Sequence, residues 1–131
     1  MKPQINADER GLEEITGKII GCAYTVSNAL GCGFLEKVYE NALVHELRRT
    51  NFEVEQQKSL KVMYDGILVG EYIADVLVQG IIILEVKAVK ILDEIHVAQC
   101  LNYLKATGLK LCLLINFGVP KVAVKRIVNN L

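Results

Sequence analysis

The sequence predicts an α/β fold in which a mixed β-sheet is flanked by helices. Apolar residues near the N-terminus recur at helical spacing, as at Ile15, Ile19 and Val26, which predicts an amphipathic helix. Alternating and continuous apolar runs between residues 52 and 89 predict a series of β-strands. A further helical pattern over residues 92–107 separates these strands from later ones, an order typical of helices packed on a sheet.

The predicted elements follow in the order αα-ββββ-α-ββ. The helices are predicted over residues 12–30, 35–49 and 92–107. The strands are predicted over residues 52–57, 60–64, 67–78, 81–89, 110–116 and 122–128. Gly31-Cys32-Gly33 ends the first helix, and Gly108 fits the C-terminal cap of the third.

Length and composition indicate one domain over residues 1–131, whose first 11 residues are polar and are expected to form a flexible arm. No apolar run reaches the roughly 18 residues that a membrane span needs. The N-terminus lacks the apolar stretch of a signal peptide, so we expect a cytoplasmic protein without a membrane partner. The four cysteines show no metal-binding spacing, and we expect them to be small buried residues rather than a zinc site.

Charge gives no simple indication of a nucleic-acid partner. Fifteen basic and fifteen acidic residues cancel, whereas a protein that coats nucleic acid would be basic. From residue 95 to the end there are five Lys or Arg and no Asp or Glu. These residues form either a local basic face or an ordinary solvated surface.

Three charged residues interrupt the most apolar part of the chain, which runs from Glu71 to Lys87. Asp75 lies in the first of two strands, and Glu85 and Lys87 lie in the second. A buried carboxylate without a partner is costly, and residues two apart on a strand share a face. Two carboxylates and an amine at one point of a sheet suit a hard divalent cation with a water beside it. The alternative is a buried ion pair between Lys87 and one carboxylate.

The spacing of Asp75 and Glu85-Val86-Lys87 resembles the signature of the PD-(D/E)XK nuclease superfamily, with Ala74 in place of the proline. The segment from Gly33 to Tyr39 resembles the motif of the GxxExxY proteins, a small bacterial family. LEVKAV, HVAQCLNYL and TGLKLCLLINFG also resemble that family's pattern, so the resemblance runs from about residue 12 to the end. It implies a restriction-endonuclease-like fold, an αβββαβ core with an extra N-terminal helix.

The same resemblance implies metal-dependent hydrolysis of phosphodiester bonds, with DNA as the expected substrate. Asp75, Glu85 and the backbone carbonyl of Val86 would hold Mg²⁺ or Mn²⁺, and Lys87 would hold or activate the attacking water. Gln99 would contact the metal-bound water or Lys87. Glu36, the Glu of the GxxExxY motif, would be an extra acid, although a Glu in the first turn of a helix is also favoured by the helix dipole.

Three further residues, His96, Tyr39 and Tyr103, are candidate accessory groups of the site. His96 and Tyr103 fall on the same stripe of the third helix as Gln99. His96 is alternatively a capping histidine near the helix start. Tyr39 shares a helical face with Glu36, and it either bonds toward the site or is a buried tyrosine with a satisfied hydroxyl. Tyr103 is alternatively part of the helix–sheet packing.

Two other functions compete with a nuclease. One is a module that keeps the nuclease fold and binds nucleic acid or a protein without cutting. The other is a purely structural interaction domain, which the buried charges disfavour. The small size and the neutral charge leave open a homodimer or a partner protein.

A metal ion shared by Asp75 and Glu85 requires a particular strand register. In a two-residue hairpin at Gln79-Gly80, Asp75 would face Leu84, and Glu85 would point to the other side of the sheet. We therefore predict an odd loop or a bulge that pairs Val78 with Ile82, with Gly80 in the left-handed region. We also expect both carboxylates and Lys87 on one face, toward both Glu36 and Gln99.

Overall fold

The computed structural model describes residues 10–129, which form three helices and five strands. The helices are α1 (Leu12–Leu30), α2 (Glu36–Arg49) and α3 (Glu94–Thr107). The strands are β1 (Val54–Tyr64), β2 (Ile67–Val78), β3 (Ile82–Lys87), β4 (Leu111–Asn116) and β5 (Ala123–Val128). Most of the arm predicted at residues 1–11 lies outside the described residues.

The five strands form one mixed sheet in the order β1-β2-β3-β4-β5. All neighbouring pairs are antiparallel except β3 and β4, which are parallel. Parallel neighbours need a long crossover connection, and α3 supplies it. The chain from α2 to β4 therefore has the αβββαβ order, with α1 in front and β5 behind, and the predicted α/β, restriction-endonuclease-like fold is confirmed.

One predicted division of the sheet is wrong. The separate strands predicted over residues 52–57 and 60–64 form the single strand β1, so the order is αα-βββ-α-ββ. The register with β2 is the same on both sides of Gln57, since Gln56 pairs with Val76 and Lys58 with Ala74. Gln56 and Gln57, where the predicted strands divide, bond through their side chains to α2.

Two hydrophobic clusters cover the two faces of the sheet. One contains residues of α1 and α2 with Ile82, Leu84 and Val86 of β3. The other contains residues of α3 with Ile83 of the same strand. Because β3 is buried on both faces, it reads as a continuous apolar run rather than an alternating one.

The β2–β3 turn has the register that the sequence predicts. Val78 pairs with Ile82 and Val76 with Leu84, which leaves an odd, three-residue loop. Gln79 (φ 56°) and Gly80 (φ 69°) both adopt left-handed backbone, and the Ile81 amide donates to the Val78 carbonyl at 3.0 Å. Gly80 takes this conformation without steric cost. The register prediction is confirmed, and its continuation sets Asp75 opposite Glu85.

Within residues 10–129, no helix is long and apolar enough to cross a membrane. All four cysteines are free, and three of them are buried as expected. Cys32 is exposed in the connection between α1 and α2, so the prediction is wrong at that position. The cause is local, since α1 ends at Leu30 and Cys32 lies outside its buried stripe.

Candidate active site

The two acidic residues lie where β2 and β3 part. Backbone pairing between these strands ends at Val76 and Leu84, and the next residue of each strand is the acid. The Asp75 amide donates to Glu85 Oε2 at 2.9 Å, and the Val86 amide donates to Asp75 Oδ2 at 2.8 Å. Each strand therefore orients the carboxylate of the other. β3 meanwhile stays paired with β4 as far as Lys87.

Burial makes both carboxylates hard to ionise. Glu85 is only 3% exposed, and burial, reinforced by the charge of Asp75, raises its pKa to about 8. Burial also raises the pKa of Asp75, while the Val86 amide lowers it. The charge of Lys87 lowers the pKa of both acids, but other groups have larger effects on each pKa. The pair is thus short of positive charge.

Lys87 does not form the buried ion pair that was the alternative interpretation. It is half-buried, and the ion pairs found among residues 10–129 join other residues. Its backbone is firmly held, since the Phe117 amide donates to the Lys87 carbonyl at 2.8 Å. The amine lies near enough to influence both carboxylates while remaining available to other groups.

The donor set suits a hard cation that keeps most of its own ligands. Asp75 Oδ1 and Glu85 Oε1 accept no hydrogen bond from the described part of the chain. In that part, no group of three or more His, Cys, Asp or Glu side chains could hold a metal ion. Mg²⁺ is commonly bound by one or two carboxylates together with waters and substrate phosphates. Two carboxylate oxygens fit such an ion, whereas a closed structural metal site would need more side chains.

Glu40 is an acid of the site that the sequence interpretation missed. It lies one turn after Glu36 on α2 and is 4% exposed, whereas Glu36 is exposed. Both raise the pKa of Asp75, and Glu40 has the larger effect. The signal was available, because Glu40 shares the stripe of Tyr39 and Leu43, which are both buried. An acid on the buried stripe of a helix needs partners as much as an acid in a strand does.

Two adjacent glutamines of β1 hold Glu40. Its Oε2 accepts from Gln56 Nε2 at 2.7 Å, from Gln57 Nε2 at 2.9 Å and from Lys37 Nζ at 3.2 Å. Successive strand residues normally point to opposite faces. Gln57 departs from this alternation because its φ is 57°, so both side-chain amides reach one oxygen atom. Gln57 also lies level with Asp75 on the neighbouring strand.

The helix after β3 brings Tyr103 to the site from the other face of the sheet. Tyr103 is buried, and its hydroxyl lies 3.4 Å from the Ile73 carbonyl, to which it donates. Burial, followed by the charges of Glu85 and Asp75, raises the pKa of its phenol. Gln99 is half-buried and makes no side-chain hydrogen bond with the described residues. Because its pKa is raised, the phenol of Tyr103 remains neutral at physiological pH.

The expectation of one face toward both Glu36 and Gln99 is wrong. α2 packs in the cluster with Leu84 and Val86, and α3 packs in the cluster with Ile83. The two helices thus cover opposite faces, and the sequence does not reveal this because each helix is amphipathic on its own. The parted strands bring the acids within influence of both sides, since Glu40 of α2 raises the pKa of Asp75, and Glu85 in turn raises the pKa of Tyr103 on α3.

A family model described as the PD-(D/E)XK nuclease superfamily matches residues 13–127. The chain belongs to this superfamily. One similar solved structure, titled "Crystal structure of SSO0001", shares 20% sequence identity with a TM-score of 0.55. The match covers 94% of this chain and 61% of that one, so the chain spans about three fifths of the other's length, and the likeness concerns the fold alone. Comparison with curated proteins finds no match.

Membership of the superfamily supports a nuclease-type function and agrees with the Asp75 and Glu85-Val86-Lys87 spacing. Nucleases of this superfamily typically use divalent metal ions, in accord with the paired acids.

Two accessory candidates, His96 and Tyr39, have partners outside the site. His96 Nδ1 accepts from the Asp93 amide at 3.0 Å in a capping box, which is the capping role left open above.

Tyr39 has a satisfied hydroxyl, as its alternative interpretation stated. The hydroxyl donates to the Gly31 carbonyl at 2.5 Å and accepts from the Phe34 amide at 3.2 Å. Its ring stacks on Phe117 with centroids 4.8 Å apart. Tyr39 thereby fastens the loop before α2, and with it the start of the helix that carries both Glu36 and Glu40.

The segment after Lys87 is tied to the end of β4 by Asn116. The Asn116 side chain accepts from the Val89 amide at 3.0 Å and donates to the Val89 carbonyl at 2.8 Å. Gly118 packs directly on this segment, because a Cβ atom there would lie 2.3 Å from the Val89 carbonyl oxygen. The β3–β4 ladder is therefore prolonged by a side chain, which steadies the backbone of Lys87. The spacing of charged residues gave no indication of either Asn116 or Gly118.

Proposed function

We propose that the protein is a metal-dependent nuclease that hydrolyses phosphodiester bonds in DNA at a site formed by Asp75, Glu85 and Lys87. The observation that supports this most strongly is the reciprocal placement of the two carboxylates across parted strands, each oriented by an amide of the other strand. Burial that raises the pKa of both acids is typical of a site built for a cation rather than for stability alone.

Asp75 Oδ1, Glu85 Oε1 and the Val86 carbonyl would hold Mg²⁺ or Mn²⁺. When bound, such an ion polarises a phosphoryl oxygen and lowers the pKa of a bound water. The main-chain bonds to Asp75 Oδ2 and Glu85 Oε2 fix the carboxylates beforehand. Little reorganisation is then needed when the ion and the phosphate arrive.

The other residues of the site have distinct tasks in this proposal. Lys87 offsets charge on the phosphate and orients the attacking water. Glu40, held by Gln56 and Gln57, adds negative charge beside Asp75 and strengthens the attraction for a cation. Gln99 lies on α3 with a free side-chain amide and would contact the water or Lys87. Glu36 would act from solvent at the mouth of the site.

The choice of DNA rests on the superfamily and on the charge near the C-terminus. Arg126 is paired with Glu13 at 2.9 Å, but four exposed lysines have no ion-pair partner among residues 10–129. These lysines are Lys105, Lys110, Lys121 and Lys125. Unpaired lysines are suited to sequence-independent phosphate contacts.

A second candidate function is a binding module that retains the fold without cutting. It is favoured by the small ligand set, since no group of three or more His, Cys, Asp or Glu side chains in the described part of the chain could hold a metal ion. Such a module would bind nucleic acid with the same affinity with and without a divalent ion.

Cleavage by the purified chain separates the two functions. Single-stranded, double-stranded and branched DNA and RNA are incubated with Mg²⁺, with Mn²⁺ and with EDTA. A nuclease cuts at least one substrate only with a metal ion, and Glu85→Gln abolishes cutting. Glu71→Gln, at an exposed acid of the same hairpin, is the matched control and should cut at the wild-type rate. Binding of these substrates without cleavage under any metal condition would favour the module.

A further inference from the structure

The far end of the β1–β2 hairpin carries a concentration of exposed apolar side chains. Seven large residues there are between 40% and 74% exposed. This group, called the hairpin patch below, consists of Met63, Tyr64, Ile67, Leu68, Val69, Tyr72 and Ile73. Monomeric proteins rarely leave contiguous apolar patches of this kind in water, so a partner is expected.

The patch occupies both faces of the hairpin. Met63 pairs with Leu68, and Tyr64 pairs with Ile67. Residues directly opposite share a face, and successive residues alternate, so the two pairs lie on opposite faces. A partner that lies on one face would leave the other in water. A strand added beside β1 places side chains on both faces, next to Met63 on one face and next to Tyr64 on the other.

β1 offers a place for such a strand. It is an edge strand of the sheet, and no described strand pairs with its outer side. Edge strands with apolar neighbours are templates for pairing with another chain. The Val54 end of β1 is covered, since Arg48 donates to the Val54 carbonyl at 3.3 Å, so the accessible part lies toward the patch.

Charge and area indicate which chain would pair there. Lys58 and Lys61 are outnumbered by three acids of the same hairpin, Glu55, Asp65 and Glu71, which does not favour phosphate groups or an anionic membrane. A surface with both signs is complementary to its own copy. Seven half-exposed side chains of ordinary size expose about 800 Å², the area that each partner contributes to a stable interface of standard size.

We propose that a second copy of this chain docks on the hairpin patch. The β1 strands of the two copies pair antiparallel across a two-fold axis and join two five-stranded sheets into one. The patch of each copy is buried against the β1 strand and the hairpin of the other. This assembly does not depend on the nuclease function, and its test does not use activity.

Sedimentation velocity and light scattering over a range of concentrations measure the assembly. The wild type is expected to be a dimer. The variant Met63→Lys/Leu68→Glu removes an apolar pair, leaves the net charge unchanged and permits an ion pair across the strands. It should weaken dimerisation at least about 30-fold, as for the loss of an interface hot spot. The control Ile91→Lys/Ile95→Glu changes residues that are 81% and 71% exposed outside the patch, and it should remain as dimeric as the wild type.

Disulfide trapping provides a second measurement in chains whose patch is intact. Exposed Cys32 is first replaced by Ser, and single cysteines are introduced at Lys58, Ser59 and Lys61 along β1. The position nearest the two-fold axis should give a cross-linked dimer, and Lys105→Cys on α3 should give none. A wild type that is monomeric at all concentrations, a double variant that dimerises as well as the wild type, or an absence of cross-linking along β1 would each overturn the proposal.

Discussion

The two halves of β2 depart from ordinary burial in opposite directions. The half from Ile67 to Ile73 is largely exposed and mostly apolar, whereas the half from Ala74 to Val78 is buried and contains Asp75. Exposed apolar groups and buried charges are the two informative exceptions to hydrophobic burial. On one continuous strand, the first exception points to a protein surface and the second to a cation. One strand can therefore offer two separate interaction sites that do not share residues.

The largest effect is expected from changing the acids of the buried half and its neighbour. Asp75→Asn or Glu85→Gln should reduce the cleavage rate by on the order of 10³-fold, as for loss of a main electrostatic group of an active site. Calorimetric Mn²⁺ binding should weaken in both. Ile73→Thr, in the exposed half, is the control and should leave both quantities unchanged. Unaltered metal affinity in the two acid variants would remove the metal site.

A smaller and separable effect is expected at Lys87. Lys87→Ala should lose cleavage by about 10²-fold or more, as for a group that assists proton transfer. It should retain metal binding, because the amine serves the water and the phosphate rather than the ion. Gln99→Ala should lose less, as for a residue that orients another. If Lys87→Ala cuts at the wild-type rate, Lys87 has no part in the reaction.

The glutamines of β1 test how far the site extends beyond β2 and β3. Gln57→Gly accepts the left-handed backbone but removes the amide that holds Glu40. It should weaken Mn²⁺ binding and cleavage by about 10-fold, the lower end of the effect of residues that support a metal site without ligating the ion. Gln57→Asn, which also tolerates this backbone, should recover part of the loss only if its shorter amide reaches Glu40. If Gln57→Gly and the wild type have the same Mn²⁺ affinity and cleavage rate, the hydrogen bond from Gln57 to Glu40 has only a structural role.

The smallest expected effect concerns stability against pH without metal. The pKa of Glu85 is raised from 4.5 to about 8, so the folded protein binds a proton that the unfolded chain releases in this range. The stabilisation is full below pH 4.5 and is lost as the pH rises through 8. Glu85→Gln carries no such charge, so its melting temperature should exceed that of the wild type by about 5 °C at pH 9 and approach it at low pH. A pH-independent difference in melting temperature would contradict the raised pKa.

The fold and the register were predictable because they depend on periodicity and geometry. Apolar spacing located all three helices, and the requirement that Asp75 face Glu85 predicted an odd loop after Val78. The two glutamines of β1 that hold Glu40 were missed because their role depends on contacts between α2 and β1. Neighbouring residues in the sequence do not indicate such long-range bonds. The same reason explains why two amphipathic helices did not reveal that they cover opposite faces of the sheet.

The reciprocal bonds between the acids and the opposing amides also allow the state of the site to be followed by amide hydrogen exchange. The amides of Asp75 and Val86 are bonded to carboxylates rather than to carbonyls. Deuterium uptake at these two positions should therefore follow the protonation and ligand state of the acids, while uptake at Leu77 and Ile83, inside the regular ladder, should follow global unfolding. These two amides can be followed by NMR without substrate, and they report directly on the state of the two carboxylates.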